Sequence, residues 1–282
     1  RLKNVFAMRG LADVDAMRPA FEHGGHVLII GGGYIGLEAA AVAAKRGLKV
    51  TLVEMADRIL QRVACAETSD YFRELHLSHG VTLLEGVGLT RLTGAEHVTG
   101  ATLSNGTTLD IDFALVGVGI QPNTELAETA GLTLDNGIET NALGQTSGPN
   151  IWAAGDCASF PYKDGRIRLE SVPNAIDQAE VVAANMLGAA KEYHATPWFW
   201  SDQYDVKLQI AGLNQGFDKV VTRQGDAGRS HWYYKGGQLL AVDAMNDPRA
   251  YMVAKRLIEA GKTVDPTLLA DPSSDLKALL RG

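Results

Sequence analysis

The clearest pattern of apolar and polar positions lies between His26 and Glu54, where it predicts a strand, a helix and a second strand. Residues 26–30 and 50–54 are almost unbroken apolar runs, which is typical of strands buried on both faces. Between them a glycine-rich stretch, 31–36, leads into a helix of small residues. This order predicts a βαβ unit with two parallel strands.

Similar patterns continue the α/β arrangement as far as residue 122. Residues 13–21 and 68–79 have apolar positions at helical spacing, and Gly80 ends the second of these helices. The remaining runs predict a strand at 81–85, a small antiparallel meander across the turn 105–106, and a buried strand at 111–117.

The pattern changes twice in the second half of the chain. A short helix is predicted at 124–131, an apolar strand at 151–154, and a longer helix from Ser171 to residue 187. Alternating runs then predict an antiparallel sheet with strands at 207–211, 219–222, 230–234 and 238–243, followed by helices at 248–260 and 274–280. The predicted fold class is therefore α/β with a C-terminal α+β part.

The glycine-rich stretch has the spacing of a dinucleotide-binding loop. Gly31 permits a tight turn, Gly33 lets the backbone approach a pyrophosphate, and Gly36 lets the helix lie close to the sheet. The free N–H groups at the helix N-terminus suit phosphate. Glu54 ends the second strand, where a carboxylate can accept hydrogen bonds from ribose hydroxyls, and this favours NADH over NADPH. The alternative is a glycine-rich turn before a helix that only packs.

Length and composition narrow the class of protein. With 282 residues, 46% of them hydrophobic, the chain is expected to form two or three globular domains. It has no apolar run near the ~20 residues that span a bilayer and no signal peptide, so a cytoplasmic protein without membrane contact is expected. A net charge of −7 disfavours nucleic acid as a partner. Cys65 and Cys157 lie far apart without a C-x-x-C pattern, which argues against a disulfide, a redox pair or a metal site.

Three further positions are candidates for ligand binding, and each has an ordinary structural alternative. The glycines of 117–123 let a ligand approach the end of a strand, although such a stretch alone is more often a simple turn. Asp156 follows a predicted strand and can accept a hydrogen bond from a polyol hydroxyl or form a turn. Ser171, before Pro173, starts a helix whose N-terminus can stabilise an anion or can simply be capped.

These stretches, in this order, resemble the NADH-dependent ferredoxin reductases, a family of flavoproteins that bind FAD and NAD and serve oxygenases. The resemblance covers almost the whole chain, and its two most specific stretches are 170–179 and 197–203. The other stretches that carry it are 8–9, 31–38, 53–54, 117–123 and 154–156.

The resemblance implies both the domain organisation and the contacts of the two cofactors. It implies a Rossmann-like NAD-binding domain at 21–122, segments of an FAD-binding domain at 1–20 and 123–195, and a C-terminal reductase domain at 196–282. It implies that NADH contacts Gly31, Gly33, Gly36, Glu38, Glu54, Arg58 and Gly117, with Glu38 helping to orient the nicotinamide. It implies that FAD contacts Arg9, Asp156, Ser171, Val172 and one of Trp198 or Trp200. No metal ligands are implied.

The chain departs from the family pattern at its start. A full member begins with a second glycine-rich loop that binds FAD, and no such loop precedes Arg9. About one domain's worth of the pattern is therefore not represented. The expectation is a fragment with a partial FAD-binding domain and an incomplete FAD site, which binds FAD weakly or not at all.

The resemblance implies an oxidoreductase that passes electrons from NADH through FAD to a [2Fe–2S] ferredoxin or a rubredoxin, and a monomer is favoured. Two alternatives share the scaffold: an NADH oxidase and a disulfide reductase, whose reactive cysteines are not found among these residues. An alternative of another class is a redox-responsive NADH-binding interaction protein. A further one is an NADH-binding remnant without catalysis.

Overall fold

The protein is seen in a computed structural model that describes residues 2–225 and 228–280. Its first part, up to residue 116, alternates strands and helices and then adds a three-stranded meander. The elements are β1 (Val5–Ala7), α1 (Leu11–His23), β2 (His26–Ile30), α2 (Tyr34–Lys45), β3 (Lys49–Glu54), α3 (Ala66–Ser78), β4 (Thr82–Glu85), β5 (Leu89–Gly94), β6 (Val98–Leu103), β7 (Thr108–Asp110) and β8 (Phe113–Val116).

A parallel five-stranded sheet, in the order β1-β8-β2-β3-β4, lies at the centre of this part. All five residues of β2 are buried, because helices cover one face of the sheet and the meander covers the other. Ile29 packs with Leu37 and Phe72 on the helical face, whereas Leu28 packs with Leu103 on the meander face. The carboxyl ends of β2, β3 and β8 therefore meet at one edge, as the apolar pattern predicts.

The first strand lies in a different place from the one expected. The resemblance implies an end of an FAD-binding segment and a linker at 1–20, but β1 pairs in parallel with β8, with Val5 opposite Ala114. Phe6 also stacks edge-on against Phe113. The strand is thus an edge of the nucleotide-binding sheet, since the apolar side chains before α1 find their partners there.

The middle part of the chain is built around a turn that contains Asp156. Its elements are α4 (Glu125–Thr129), β9 (Ile138–Glu139), a 3₁₀ turn (Gly155–Cys157), β10 (Ala158–Tyr162), β11 (Gly165–Ile167) and α5 (Val172–Met186). The predicted strand at 151–154 is wrong: only Trp152 forms a bridge, with Gln145. The loop that contains Gln145 pairs with one residue of 151–154 and no more. The strand of this region, β10, follows the turn at Gly155–Cys157 instead of preceding it.

The last part forms an antiparallel sheet, as predicted, but it has five strands instead of four, in the order β12-β13-β16-β15-β14, and the pattern did not predict β12. Its elements are β12 (Trp198–Gln203), β13 (Val206–Gly212), β14 (Lys219–Gln224), β15 (Arg229–Lys235), β16 (Gln238–Met245), α6 (Pro248–Glu259), α7 (Pro266–Ala270) and a 3₁₀ turn (Ala278–Leu280). The predicted helix at 274–280 shrinks to that turn. The buried guanidinium of Arg223 donates to the carbonyls of Leu269, Asp271, Pro272 and Ser274, so the chain that enters this segment is held in an irregular conformation.

A buried polar cluster joins the C-terminal sheet to the start of α3. Thr68 Oγ1 and the Tyr233 hydroxyl both donate to the carboxylate of Asp243, and His231 Nδ1 lies 2.7 Å from Thr68 Oγ1. The Tyr233 hydroxyl also accepts from the backbone N–H of Cys65. Asp243 is 1% exposed, and its Oδ1 has no hydrogen-bond partner among the described residues. We call these five residues the junction cluster.

Burial of the junction cluster predicts a measurable dependence of stability on pH. Burial raises the pKa of the Asp243 carboxyl from 3.8 to about 6. The folded protein therefore binds this proton more tightly than the unfolded chain, and its stabilising effect, complete below pH 3.8, is lost as the pH rises through about 6. The D243N variant cannot lose this proton. Relative to wild type, its free energy of unfolding should rise by about 2 kcal/mol between pH 4 and pH 7.

Urea unfolding at several pH values measures this difference. The exposed Asp57 provides the control, because D57N removes a carboxylate without changing the burial of one. Curves of stability against pH that stay parallel for D243N and wild type would contradict the prediction.

Candidate functional site

Three glycines shape the loop at the carboxyl end of β2. Gly31 has φ +110°, and a Cβ there would overlap the carbonyl oxygen of Gly117. A Cβ on Gly36 would overlap the carbonyl oxygen of Gly31, so this glycine is needed where α2 lies close to the loop. Around Gly33, by contrast, nothing lies within 4 Å of a Cβ position. The backbone at Gly33 is therefore open to a ligand, at the N-terminus of α2, whose N-cap has no side-chain hydrogen bond.

Glu54 lies beside this loop and is held there by backbone groups. Its Oε2 accepts from the N–H of Gly32 at 2.7 Å, and its Oε1 accepts from the N–H of Ala56 at 2.7 Å. Each carboxylate oxygen retains a further lone pair. The carboxylate is thus oriented before a ligand arrives and remains able to accept hydroxyl hydrogen bonds.

Two arginines follow Glu54, and the structure gives them different surroundings. The Arg58 guanidinium turns inward, and it donates to the carbonyls of Ala64 and Cys65 at 2.9 and 3.2 Å. The exposed Arg62 instead reaches the exit loop of β8: a Cβ on Gly119 would lie 3.5 Å from its Nη2. Arg58 therefore holds its own loop. Arg62, which the sequence reasoning missed, places a positive charge beside the loop that follows β8.

Glu38 lies on α2 at the boundary with the C-terminal sheet. Its Oε1 accepts a hydrogen bond of 2.6 Å from the Ser201 hydroxyl. Burial raises the pKa of the Glu38 carboxyl, nearby Asp202 adds to this effect, and the Ser201 hydrogen bond opposes it. Glu38, Trp200 and Asp202 line one cavity of about 410 Å³ between α2 and β12. Two parts of the chain that are far apart in sequence therefore form one site.

The two tryptophans of β12 have different environments. The Trp198 ring packs against Tyr251 of α6, with ring centroids 6.4 Å apart, and Lys255 Nζ lies 5.3 Å above it. Trp200 lines the cavity beside Glu38. Of the two residues predicted for the FAD site, Trp200 is the one that the structure brings next to the nicotinamide candidate.

The turn that contains Asp156 is held rigidly by its backbone. The Arg168 guanidinium donates to the carbonyl of Asp156 at 2.8 Å, and buried Gln178 accepts from the N–H of Gly155 at 2.8 Å. No hydrogen bond of the Asp156 carboxylate itself occurs among the residues described. Gly155 has φ +81°, a conformation that favours glycine. The turn therefore presents a free carboxylate, and sequence reasoning missed the two residues that hold it.

Ser171 caps α5 as predicted: its Oγ accepts from the N–H of Asn174 at 3.3 Å. The first turn of this helix is open, since Val172 is 59% exposed and Ile176 is 54% exposed. A free carboxylate, a positive helix end and an accessible apolar surface suit a group with hydroxyls and a flat ring that becomes anionic, which fits FAD. Arg9 is exposed before α1, and its backbone N–H donates to the carboxylate of Asp13.

The described residues contain no grouping of three or more His, Cys, Asp or Glu that could hold a metal ion. Within the same ranges, no helix combines the length and the apolar character needed to cross a bilayer. Cys65 is buried and Cys157 is partly buried, and both are free thiols.

Comparison with known families divides the chain in two. Residues 2–179 match the family described as pyridine nucleotide-disulphide oxidoreductase, and residues 198–280 match the one described as reductase C-terminal. Among curated proteins, the chain is 40% identical to putidaredoxin reductase of Pseudomonas putida over 99% of its own length and 68% of that protein. It is 43% identical to a ferredoxin–NAD(P)+ reductase of Sphingomonas sp, over 98% of its own length and 68% of that protein.

Solved structures give the same relationship. A ferredoxin reductase from Rhodopseudomonas palustris superposes with a TM-score of 0.95 at 42% identity, over 98% of this chain and 70% of that one. Putidaredoxin reductase in its covalent complex with putidaredoxin superposes with a TM-score of 0.94 at 39% identity, over 99% of this chain and 68% of that one. The fold is therefore shared along nearly the whole chain.

Proposed function

The chain belongs to the pyridine nucleotide-disulphide oxidoreductase family and resembles its ferredoxin reductases throughout, and we propose that it passes electrons from NADH through FAD to a [2Fe–2S] ferredoxin of an oxygenase system. The observation that carries this proposal is the shared cavity, in which Glu38 of the nucleotide-binding part meets Trp200 of the C-terminal part. We propose a rubredoxin as the alternative acceptor. We also propose that the protein is a monomer and that it is cytoplasmic.

The domain assignment is part of the same proposal. NADH binds the sheet of 21–122, to which β1 adds an edge strand, and 123–195 supplies the carboxylate and helix end for FAD. Residues 196–282 form the C-terminal reductase domain, whose sheet lies against α2 and α3 through contacts such as the one between Ser201 and Glu38.

The protein contributes to the reaction of NADH by holding the nucleotide in position. The open backbone at Gly33 and the N-terminus of α2 receive the pyrophosphate, and Glu54 accepts hydrogen bonds from the adenosine ribose. Glu38 orients the nicotinamide end, and Gly117, which lies beside Gly31, borders the same end of the nucleotide. By holding both ends of the nucleotide, these residues supply proximity and orientation, the main protein contribution to hydride transfer.

Bound FAD would supply a flavin ring able to take up hydride and to pass electrons on singly. Asp156, with its backbone held by Arg168 and Gln178, accepts hydrogen bonds from hydroxyl groups of the flavin side chain. Ser171 and Val172 place the positive end of α5 where negative charge develops, and this charge is stabilised by the helix dipole. None of these residues transfers a proton.

An electron-acceptor assay tests the proposal. The flavin-loaded protein should be reduced by NADH under anaerobic conditions and should then turn over faster with a [2Fe–2S] ferredoxin than with a disulfide substrate or with O₂. Faster turnover with a disulfide would indicate a disulfide reductase, and faster turnover with O₂ would indicate an NADH oxidase. NADH binding without turnover on any acceptor would favour an interaction protein or a remnant without catalysis.

The two arginines after Glu54 should respond differently to substitution. In R62A, the dissociation constant of NADH should rise about tenfold at unchanged thermal stability, because a charged hydrogen bond to a phosphate or ribose oxygen is lost. In R58A, unfolding should become easier by about 2 kcal/mol, because the buried carbonyls of Ala64 and Cys65 lose their donor.

Both variants are titrated with NADH and unfolded by heat. R58A serves as the control for the affinity measurement, and R62A serves as the control for the stability measurement. A loss of NADH affinity in R58A at unchanged stability, together with a normal affinity in R62A, would restore Arg58 as the residue that contacts the nucleotide.

A further inference from the structure

A chain of four hydrogen bonds runs from the surface to Glu38. The Tyr204 hydroxyl lies 3.2 Å from His76 Nδ1, and His76 Nε2 lies 2.8 Å from Gln203 Oε1. Gln203 Nε2 donates to Ser201 Oγ at 3.2 Å, and the Ser201 hydroxyl donates to Glu38 Oε1 at 2.6 Å. The chain crosses from the C-terminal sheet to α3, returns to β12 and ends on α2.

The direction of each hydrogen bond follows from the Glu38 carboxylate at one end and from a neutral His76 ring near the other. A carboxylate only accepts, so Ser201 must donate to Glu38, and its oxygen then accepts from the amide of Gln203. The amide oxygen of Gln203 accepts from Nε2 of His76, which leaves Nδ1 of that ring to accept from Tyr204. Burial lowers the pKa of His76, which favours the neutral ring that this arrangement requires.

Burial makes this arrangement rigid. His76 and Gln203 are each 0% exposed and Ser201 is 1% exposed, so water cannot replace a bond that is broken. Ser201 and Gln203 alternate along β12 with Trp200 and Asp202, which line the cavity. One strand thus contributes one set of side chains to the wall of the cavity and another set to the support of Glu38.

Other charged groups around Glu38 leave its orientation to Ser201. Asp202 and Lys45 line the same cavity, but Lys45 Nζ donates to the carbonyl of Tyr204 at 2.8 Å. Asp202 repels the Glu38 carboxylate and raises the pKa of its carboxyl. The Ser201 hydroxyl is thus the group that holds the carboxylate in place.

We propose that Ser201, supported by Gln203 and His76, is a positioning residue that fixes the Glu38 carboxylate for recognition of the nicotinamide end of NADH. The inference rests on the proposed function, in which Glu38 contacts that end. It assigns a role to the second half of the stretch 197–203, which the function proposed above uses only through its tryptophans.

The test compares two ligands that share the adenosine end. For S201A, the dissociation constant of NADH should rise about tenfold, because a hydrogen bond to a charged group is lost. The dissociation constant of ADP-ribose, which lacks the nicotinamide, should stay the same. S201T keeps a hydroxyl and should bind NADH more tightly than S201A. Q203M, one bond further away, should weaken NADH in the same direction by a smaller factor.

The pH dependence of NADH affinity gives a second readout. The Ser201 hydrogen bond lowers the pKa of the Glu38 carboxyl, so its removal in S201A raises that pKa further. The fall of NADH affinity at low pH should therefore begin at a higher pH in S201A than in wild type. A merely structural loss would leave the shape of the curve unchanged.

Ser230 provides the matched control. It is also a buried serine on the same sheet, and its hydroxyl accepts from Trp232 Nε1 rather than contacting Glu38. S230A should bind NADH and ADP-ribose like wild type, with the same pH curve. Equal weakening of both ligands in S201A, or an S201A pH curve that coincides with that of wild type, overturns the inference.

E38Q separates the inference from the function on which it rests. Weaker NADH binding in E38Q with normal binding in S201A and Q203M overturns the positioning role alone. Normal NADH binding in E38Q overturns the nicotinamide role proposed for Glu38, whatever the serine variants do.

Discussion

Replacement of Glu54 by arginine is expected to invert the nucleotide preference, so that NADPH binds more tightly than NADH. The wild-type carboxylate can accept from ribose hydroxyls and repels a 2′-phosphate, whereas a guanidinium attracts the phosphate and accepts nothing. Arginine also cannot accept from the N–H groups of Gly32 and Ala56, which Glu54 now binds. The NADH dissociation constant should therefore rise roughly 100-fold.

Titration of E54R with NADH and NADPH measures the inversion, and E54Q is the control. Glutamine keeps one acceptor oxygen near the glycine-rich loop and removes the charge, so E54Q should lose affinity for NADH by a smaller factor without gaining tight NADPH binding. An unchanged ratio of the two dissociation constants in E54R would show that Glu54 does not contact the ribose.

In the flavin-loaded full-length enzyme, replacement of Asp156 by alanine is expected to release FAD. The carboxylate is free while the backbone on either side of it is held by Arg168 and Gln178, so alanine removes the ligand group and leaves the turn intact. Loss of charged hydrogen bonds to a hydroxyl group should raise the dissociation constant of FAD about tenfold to 100-fold. Folding stability in the absence of flavin should change little.

Flavin absorbance after desalting and the recovery of flavin fluorescence measure this release. D164A removes an exposed carboxylate from the neighbouring turn and should retain FAD like wild type. Undiminished FAD retention in D156A would remove Asp156 from the flavin site and leave it as a turn-forming residue.

The nucleotide-binding unit could be predicted from the sequence almost to the residue. The strands observed at His26–Ile30 and Lys49–Glu54 and the helix at Tyr34–Lys45 coincide with the predicted ones. Their signals are local: continuous apolar runs, a positive-φ glycine at the turn and small residues in the helix. Four strands of the antiparallel sheet, those after residue 206, were equally predictable because apolar and polar residues alternate along them, whereas β12 was not predicted.

The failures occur where a segment depends on a distant partner. Residues 151–154 are apolar enough for a strand, but the loop beside them pairs only with Trp152. The helix expected at 274–280 is replaced by a short turn where Arg223, about fifty positions earlier, binds backbone carbonyls from Leu269 to Ser274, at the entrance to that segment. No local pattern reveals either partner.

The candidate site shows the same division between local and distant signals. Glu54 could be inferred from its distance to the glycines, but the choice between Arg58 and Arg62 depends on which guanidinium turns inward. Glu38 was reached through a family resemblance, and its partner Ser201 lies in another domain. A hydrogen bond between two domains, such as the one from Ser201 to Glu38, cannot be predicted from the spacing of residues along the chain.

The sequence by itself determined the parallel βαβ unit, its glycine-rich loop with the acid at the end of the second strand, and the capped start of α5 at Ser171. These follow from backbone conformation and apolar periodicity, which act between near neighbours along the chain. Only the tertiary structure decided that β12 lies against α2, so that Ser201 holds Glu38 and Trp200 completes their cavity. The physical reason is that burial and hydrogen bonding join groups by distance in space, and the fold alone sets that distance.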